Sequence, residues 1–424
     1  MNYISTKNPD EVVSFEQAVL KGLAQNKGLF MPENIPTLPQ DFFDNIETYS
    51  EHEIALKALT PFTHSSIDET ALKQIIAETV SFPLPVVPIK DNIYSLELFH
   101  GPTHAFKDVG ARFMSRCLKH FMQQEGEKKA TILVATSGDT GSAVANGFYK
   151  VAGVDVCILF PKGKVSAYQE YQMSSLGENI QAIEVDGTFD DCQALVKEAF
   201  SDATLQEKLN LSSANSINIA RLLPQMLYYF FAYKALKAQQ KKIVFSVPSG
   251  NLGNLTAGII AHKMGLPARF IAATNSNDTF YQYLQTGDYS PKPSVQTYSN
   301  AMDVGAPSNF ERLMHLYNHQ LEAVRTIIQS TTVGNEATVA QIKKIYEETG
   351  YILDPHGAVG MLSFETLLEE DEIGVVLETA HPKKFDQVVQ QAVPNYSNDE
   401  VDLSNCEKVC IANDYQVFRE LLLG

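Results

Sequence analysis

"ATILVATSGDTGSAVANGFYKVAGVDVCILFP" (130–161) carries the architecture of this chain in miniature. Its opening, "ATILVAT" (130–136), is a short apolar run, and "TGSAVANGFYKVAG" (140–153) is a helix pattern built of small residues. "VDVCILFP" (154–161) is a second apolar run. Neither run alternates with polar residues, so each reads as a strand covered on both faces, joined to the next by a helical crossover.

The same alternation continues outward. "VSAYQEYQMSSLG" (165–177) is a helix and "IQAIEVDG" (180–187) a strand. "FDDCQALVKEAFSD" (189–202) is an amphipathic helix with an acidic first turn, as a helix start prefers. "IARLLPQMLYYFFAYKALKA" (219–238) is apolar on several faces and reads as a buried segment. "KKIVFSVPSG" (241–250), "ARFIAATN" (268–275) and "EIGVVLETAH" (372–381) are further strands, with "NLTAGIIAHKMG" (254–265) a helix between the first two. The expected class is α/β with parallel sheet covered by helices on both faces. The first 95 residues differ, with helical patterns, loops and Pro83, Pro85 and Pro88, and read as a separate layer or cap. No internal repeat or low-complexity segment breaks the pattern.

The composition narrows the function classes. The chain has 424 residues, 33 basic against 50 acidic, for a formal net charge of −17. That excess of acid argues against a nucleic-acid backbone or an anionic membrane surface as partner. No apolar run reaches the roughly 18 residues of a membrane span, and "MNYISTKNPDEVVSF" shows no secretory signal. Five scattered cysteines (Cys117, Cys157, Cys192, Cys406 and Cys410) fit a reducing cytoplasm. Cys406 with Cys410 is no zinc spacing, and His315 with His319 lacks the glutamate of a zinc-protease helix, so no metal site is expected.

Three polar turns, two of them with glycines, fall at carboxyl ends of strands, where open α/β sheets bind ligands. They are "TSGDTG" (136–141), "PSGNLGN" (248–254) and "ETAHP" (378–382). In the second, Gly250 and Gly253 permit a tight backbone, Asn251 and Asn254 add amide donors, and a helix start lies beside them. Together these make a phosphate cradle. It is neither a dinucleotide fingerprint nor a P-loop. Each loop taken alone also reads as an ordinary helix-start turn; three at successive strand ends point to a shared site.

Lys107 in "ELFHGPTHAFKDVGARF" (97–113) adds the chemistry. In isolation it would pair with Asp108 at the surface. Set beside a phosphate cradle, with Ala105 and Phe106 as apolar walls, it fits pyridoxal phosphate, whose aldehyde condenses with a partly desolvated lysine amine.

The resemblance to a known family is close at this point. "SFEQAVLKGLAQNKGLFMPENIP", "ELFHGPTHAFKDVGARFM", "ATSGDTGSAVA", "SANSINIARLLPQ", "VPSGNLGNLTAG", "RFIAATNSNDT", "SNAMDVGAPSNFER" and "TAHPKKF" resemble the threonine synthase family segment by segment, in family order, over residues 3–390. The resemblance implies the tryptophan-synthase β-like fold (fold type II of pyridoxal phosphate enzymes). It divides the chain into an N-terminal cap (1–95), a small α/β domain (96–235) and a large α/β domain (236–424). The implied reaction converts O-phospho-L-homoserine and water to L-threonine and phosphate, in a monomer or homodimer. A related lyase releasing 2-oxobutanoate, or a non-catalytic binder of phosphate ligands, is the alternative.

Residue by residue, Lys107 resembles the Schiff-base lysine. Ser249, Gly250, Asn251, Leu252, Gly253 and Asn254 resemble the cofactor-phosphate cradle, and Thr379 the hydroxyl partner of the pyridine nitrogen. A neutral hydroxyl there fits elimination and replacement better than transamination. Thr136, Ser137, Gly138, Asp139 and Thr140 resemble the loop for the substrate carboxylate, and Asn215, Ser216 and Arg221 the holders of the substrate phosphate. Two positions depart from relatives. Asp139 stands where distant relatives carry asparagine against the cofactor's ring oxygen, so it is either protonated or put to another use. His104 stands where many relatives are apolar, and is expected at the entrance rather than in the chemistry.

Overall fold

Strands β1 (Tyr3–Ser5) and β2 (Asn8–Val13) pair antiparallel, and β3 (Phe30–Pro32) flanks β1 on its other side. They form a small sheet in the N-terminal region. The computed structural model describes residues 1–125, 129–397 and 401–424. Helices Glu51–Thr63 and Glu69–Thr79 follow, each with the side-chain cap its sequence supplies. Ser50 and Glu53 form a reciprocal capping box, and Asp68 accepts from the amide of Ala71.

Two larger sheets then share the chain. Strands β4 (Val86–Lys90) and β5 (Ile93–Glu97) form a hairpin; β6 (Ala130–Ala135), β7 (Val154–Pro161), β8 (Ile180–Asp186) and β9 (Leu211–Ser213) follow. After them come β10 (Lys242–Pro248), β11 (Ala268–Thr274), β12 (Ile328–Thr332), β13 (Glu372–Glu378) and β14 (Val409–Ala412). The larger sheet is ordered β12-β11-β10-β13-β5-β4 and the smaller β14-β8-β7-β6-β9. All pairings in both are parallel except β4 with β5. The α/β class expected from the apolar runs is therefore present, with those runs as central strands.

Residues 86–97 add two strands to the large sheet, with Leu96 of β5 opposite Leu377 of β13. Residues 409–412 pair with β8 of the small sheet. Pairing across nearly 300 residues leaves no local trace in sequence, and both excursions are short. The buried segment 219–238 is broken into three pieces. It runs as Ile219–Leu222, a 3-10 turn Leu223–Met226, and Leu227–Leu236, because Pro224 has no amide to continue the ladder. Tyr228, Tyr229 and Phe230 are fully buried there, between the elements of the main core. No helix among the described residues is long and apolar enough to cross a membrane.

Candidate active site

Because both sheets are parallel, the loops after β6, β10 and β13 leave from strand carboxyl ends. The segment before Lys107 joins them by backbone pairing. Phe106 donates its amide to the Thr379 carbonyl (2.9 Å), His381 donates to His104 O (3.1 Å), and Ala105 bridges Ala380. The Tyr228 hydroxyl braces Phe106 O at 2.5 Å. Helix Lys107–Glu125 starts at the lysine itself, so this loop and the helix axis together aim its side chain. Asp108, its neighbour in sequence, does not pair with it: the carboxylate turns away to accept from the amide (2.9 Å) and hydroxyl (2.5 Å) of Thr103.

Lys107 is largely buried, and its Nζ lies 3.7 Å from Asp139 Oδ2. Burial pushes its amine down to about 8, against the pull of Asp139, with Lys384 and Arg221 pushing the same way as burial. Asp139 answers the question its identity raised. Burial alone would raise its carboxyl, but Lys384 and Lys107 outweigh that and hold it well below the usual carboxylate range. It is ionised, and with no proton it cannot donate to a ring oxygen.

The loop after β6 is braced from within. The Thr136 hydroxyl oxygen accepts from the amides of Gly138 and Gly141, both at 2.9 Å. Gly138 has φ +133°, and a Cβ there would come within 2.3 Å of the Gln169 side chain, so only glycine fits. Ser137 and Thr140 are half-buried at the head of helix Asp139–Phe148.

The loop after β10 has the features of an anion cradle. Leu252 adopts a left-handed conformation (φ +58°) and turns the chain into helix Gly253–Lys263. A Cβ on Gly250 would come within 2.6 Å of Met302 Cα, so the loop packs tight against the next segment. Ser249 Oγ donates back to Val247 O at 2.7 Å. Asn254 Nδ2 is buried and finds no acceptor among the described residues, although its Oδ1 takes the Tyr229 hydroxyl at 2.9 Å. An unused buried donor at a helix start, beside a glycine-tight loop, fits a phosphate ester.

Asn251 bonds Ser216 Oγ, tying this cradle to the segment expected to hold a second phosphate. There Asn215 Nδ2 donates to Ala135 O at 3.1 Å. Arg221 is buried, its Nη1 bonded to Ala214 O, while its Nε has no partner among the described residues. Burial pushes that guanidinium down to about 10. Thr379 is buried at the end of β13, where its carbonyl anchors the Lys107 segment. The predicted residues thus lie on one set of converging loops. His104, in a left-handed conformation (φ +56°), packs against the rings of Tyr168 and His381 at the rim. Burial and then Lys383 push it down to about 4, leaving it neutral near pH 7.

Two residues escaped the sequence reading. Lys384 is fully buried and donates to Asp139 Oδ1 at 2.7 Å; the only hint was a doubled lysine directly after a buried strand. Arg312, also buried, donates to Phe30 O (3.1 Å), Ser216 O (3.1 Å), Ile217 O (2.6 Å) and Asn309 Oδ1 (3.0 Å). All those acceptors are neutral, and burial pushes the guanidinium down to about 9.

Comparison with known proteins agrees with this geometry. Residues 76–378 match the family model described as pyridoxal-phosphate dependent enzyme, and residues 2–80 match threonine synthase N terminus. The chain is 44% identical over 396 residues to threonine synthase of Haemophilus influenzae, covering 92% of this chain and 91% of that protein. The crystal structure of threonine synthase from Escherichia coli superposes with a TM-score of 0.93 at 41% identity, covering 100% of this chain and 99% of the other. The pyridoxal phosphate-bound threonine synthase of Brucella melitensis gives 0.92 at 36% identity, covering 100% and 98%. With lysine, cradle and paired loops in one place and relatives alike over nearly the whole length, the chain belongs to the threonine synthase family of pyridoxal phosphate-dependent enzymes.

Proposed function

We propose that this site converts O-phospho-L-homoserine and water to L-threonine and phosphate. The observation that carries the proposal is the placing of one desolvated lysine amine beside two anion-binding loops linked through Asn251 and Ser216. One loop suits a cofactor phosphate and the other a substrate phosphate.

Lys107 would hold the cofactor's aldehyde carbon, the loop from Ser249 to Asn254 its phosphate, and Thr379 its ring nitrogen. When bound, pyridoxal phosphate supplies the electron sink that makes the substrate's α-proton removable. Nζ of Lys107 would take the α-proton and return protons later in the cycle; an amine near pH 8 is suited to both directions. The loop from Thr136 to Thr140, with Gly138 and Asp139 at its turn, receives the substrate carboxylate at the head of a helix. Asn215, Ser216 and Arg221 hold the phosphate and stabilise it as its bond to the γ-carbon breaks. A β-proton leaves as the phosphate departs, the γ-carbon then gains a proton, and water adds hydroxyl to the β-carbon while its other proton goes to the released phosphate. A cytoplasmic location belongs to the same proposal and is supported by five cysteines that are all free thiols.

The test is to supply O-phospho-L-homoserine to the holoenzyme and quantify phosphate, threonine and 2-oxobutanoate together. Threonine equal to phosphate is expected, and Lys107→Ala should abolish both. Phosphate accompanied by 2-oxobutanoate would make the protein an eliminating lyase, and no product at all would leave a binder.

A further inference from the structure

Lys384 has no step in the reaction above, yet it is buried within the site. Its side chain has no exposed area, and Nζ donates to Asp139 Oδ1 (2.7 Å) and Thr103 O (3.0 Å). Gln169 Nε2 donates to the same Oδ1 at 2.9 Å. The other oxygen, Oδ2, faces Lys107 Nζ at the longer distance of 3.7 Å. One carboxylate therefore stands between two lysine side chains, with its shorter contact to Lys384.

The remaining charged and titratable groups do not alter that balance. His356 acts on Asp139 at longer range, and its Nδ1 is already engaged by Asp354 at 2.5 Å. Arg221 faces Lys107 from the substrate-phosphate side. Asp108 is satisfied by Thr103. Charge balance then separates two arrangements. With Lys384 present, Asp139 is neutralised while Lys107 is an uncharged amine. With Lys384 removed, the balanced state would be a Lys107 ammonium facing Asp139, because a buried carboxylate is costly to leave unpaired.

We propose that Lys384 is a positioning residue: as the standing counter-charge of Asp139 it releases Lys107 from ion pairing, so that Lys107 is available as a free amine. The proposal rests on reading Lys107 as the lysine that holds the cofactor and moves protons. It also gives Asp139 a use that asparagine could not serve.

The test needs no turnover. In the full chain stripped of cofactor, the reactivity of Lys107 toward acetic anhydride is followed from pH 6 to 10 by mass spectrometry of its peptide. Lys384→Met should move the midpoint up by about one pH unit, roughly tenfold less labelling near neutrality. Asp139→Asn should move it down, and Lys384→Arg, which keeps the charge, should stay near the parent. A Lys384→Met midpoint that is unchanged or lower overturns the proposal. Should that variant fail to fold, Asp139→Asn decides alone, and an unchanged or higher midpoint overturns it equally. Borohydride reduction of the holoenzyme followed by peptide mapping checks the underlying reading separately. Cofactor trapped on another lysine would sink that reading, while the labelling series still judges the charge pairing.

Discussion

At the scale of single residues, burial decides what each group can do. Lys107, Arg221, Arg312 and Lys384 are basic side chains buried in the interior, and the first three are pushed down by desolvation. Lys384 is held by a carboxylate and a carbonyl. The rim histidines follow the same rule. Burial pushes both His104 and His381 from the ordinary 6.5 down to about 4. Between those values the unfolded chain binds the protons that the folded chain refuses, so stability falls as the pH is lowered from about 6.5 toward 4. Urea midpoints measured from pH 7 to 4.5 should decline accordingly. His104→Asn should flatten the decline, since asparagine tolerates the left-handed backbone and does not titrate. An identical slope in that variant would mean that other groups set the acid limit.

At the scale of elements, the C-terminal segment contributes more than its composition suggested. Strand β14 extends the small sheet beside β8, with Ile411 opposite Val185. Helix Tyr415–Leu423 then lays Phe418 into a second core with Cys192, Leu195 and Leu205. Lys408 bonds both Glu170 (2.6 Å) and Glu184 (2.8 Å), clipping the strand to its neighbours. Phe418 is fully buried, so Phe418→Ala should cost about 3–5 kcal/mol by lost transfer and cavity. Chemical denaturation measures this directly, and a loss under about 1 kcal/mol would mean that the helix adds little to the fold.

At the scale of the whole molecule, Arg312 ties three regions together. Its guanidinium serves a carbonyl of the N-terminal sheet (Phe30), two of the Ser216 segment, and Asn309, which in turn donates to Asn251 O at 3.1 Å. Arg312→Met would leave several buried carbonyls without donors, at about 1–3 kcal/mol each. It should also loosen the Ser216 segment, raising KM for the phosphorylated substrate more than it lowers kcat. Lysine at 312 should not rescue, because a point ammonium cannot replace a planar fork. Unchanged stability and KM in the methionine variant would show that the three regions are held by other contacts.

Much of this organisation was written locally. Apolar runs marked β6, β7, β8, β10, β11 and β13 to within a few residues, and glycines marked the loops after β6 and β10. Lys107 and those two loops stood out because backbone conformation and local chemistry constrain those residue types at those positions, whereas Thr379 was legible only through the family resemblance. Short or polar edge strands such as β12, "IQSTT", and β14, "VCIA", gave too little pattern to be seen. Tertiary structure alone brought 86–97 into the large sheet and 409–412 into the small one. It alone also set Lys384 against Asp139 across more than 200 residues, and Arg312 against three distant segments. Strand patterns and turns are dictated by neighbours along the chain, whereas charge pairing and desolvation depend on which surfaces meet once it has folded.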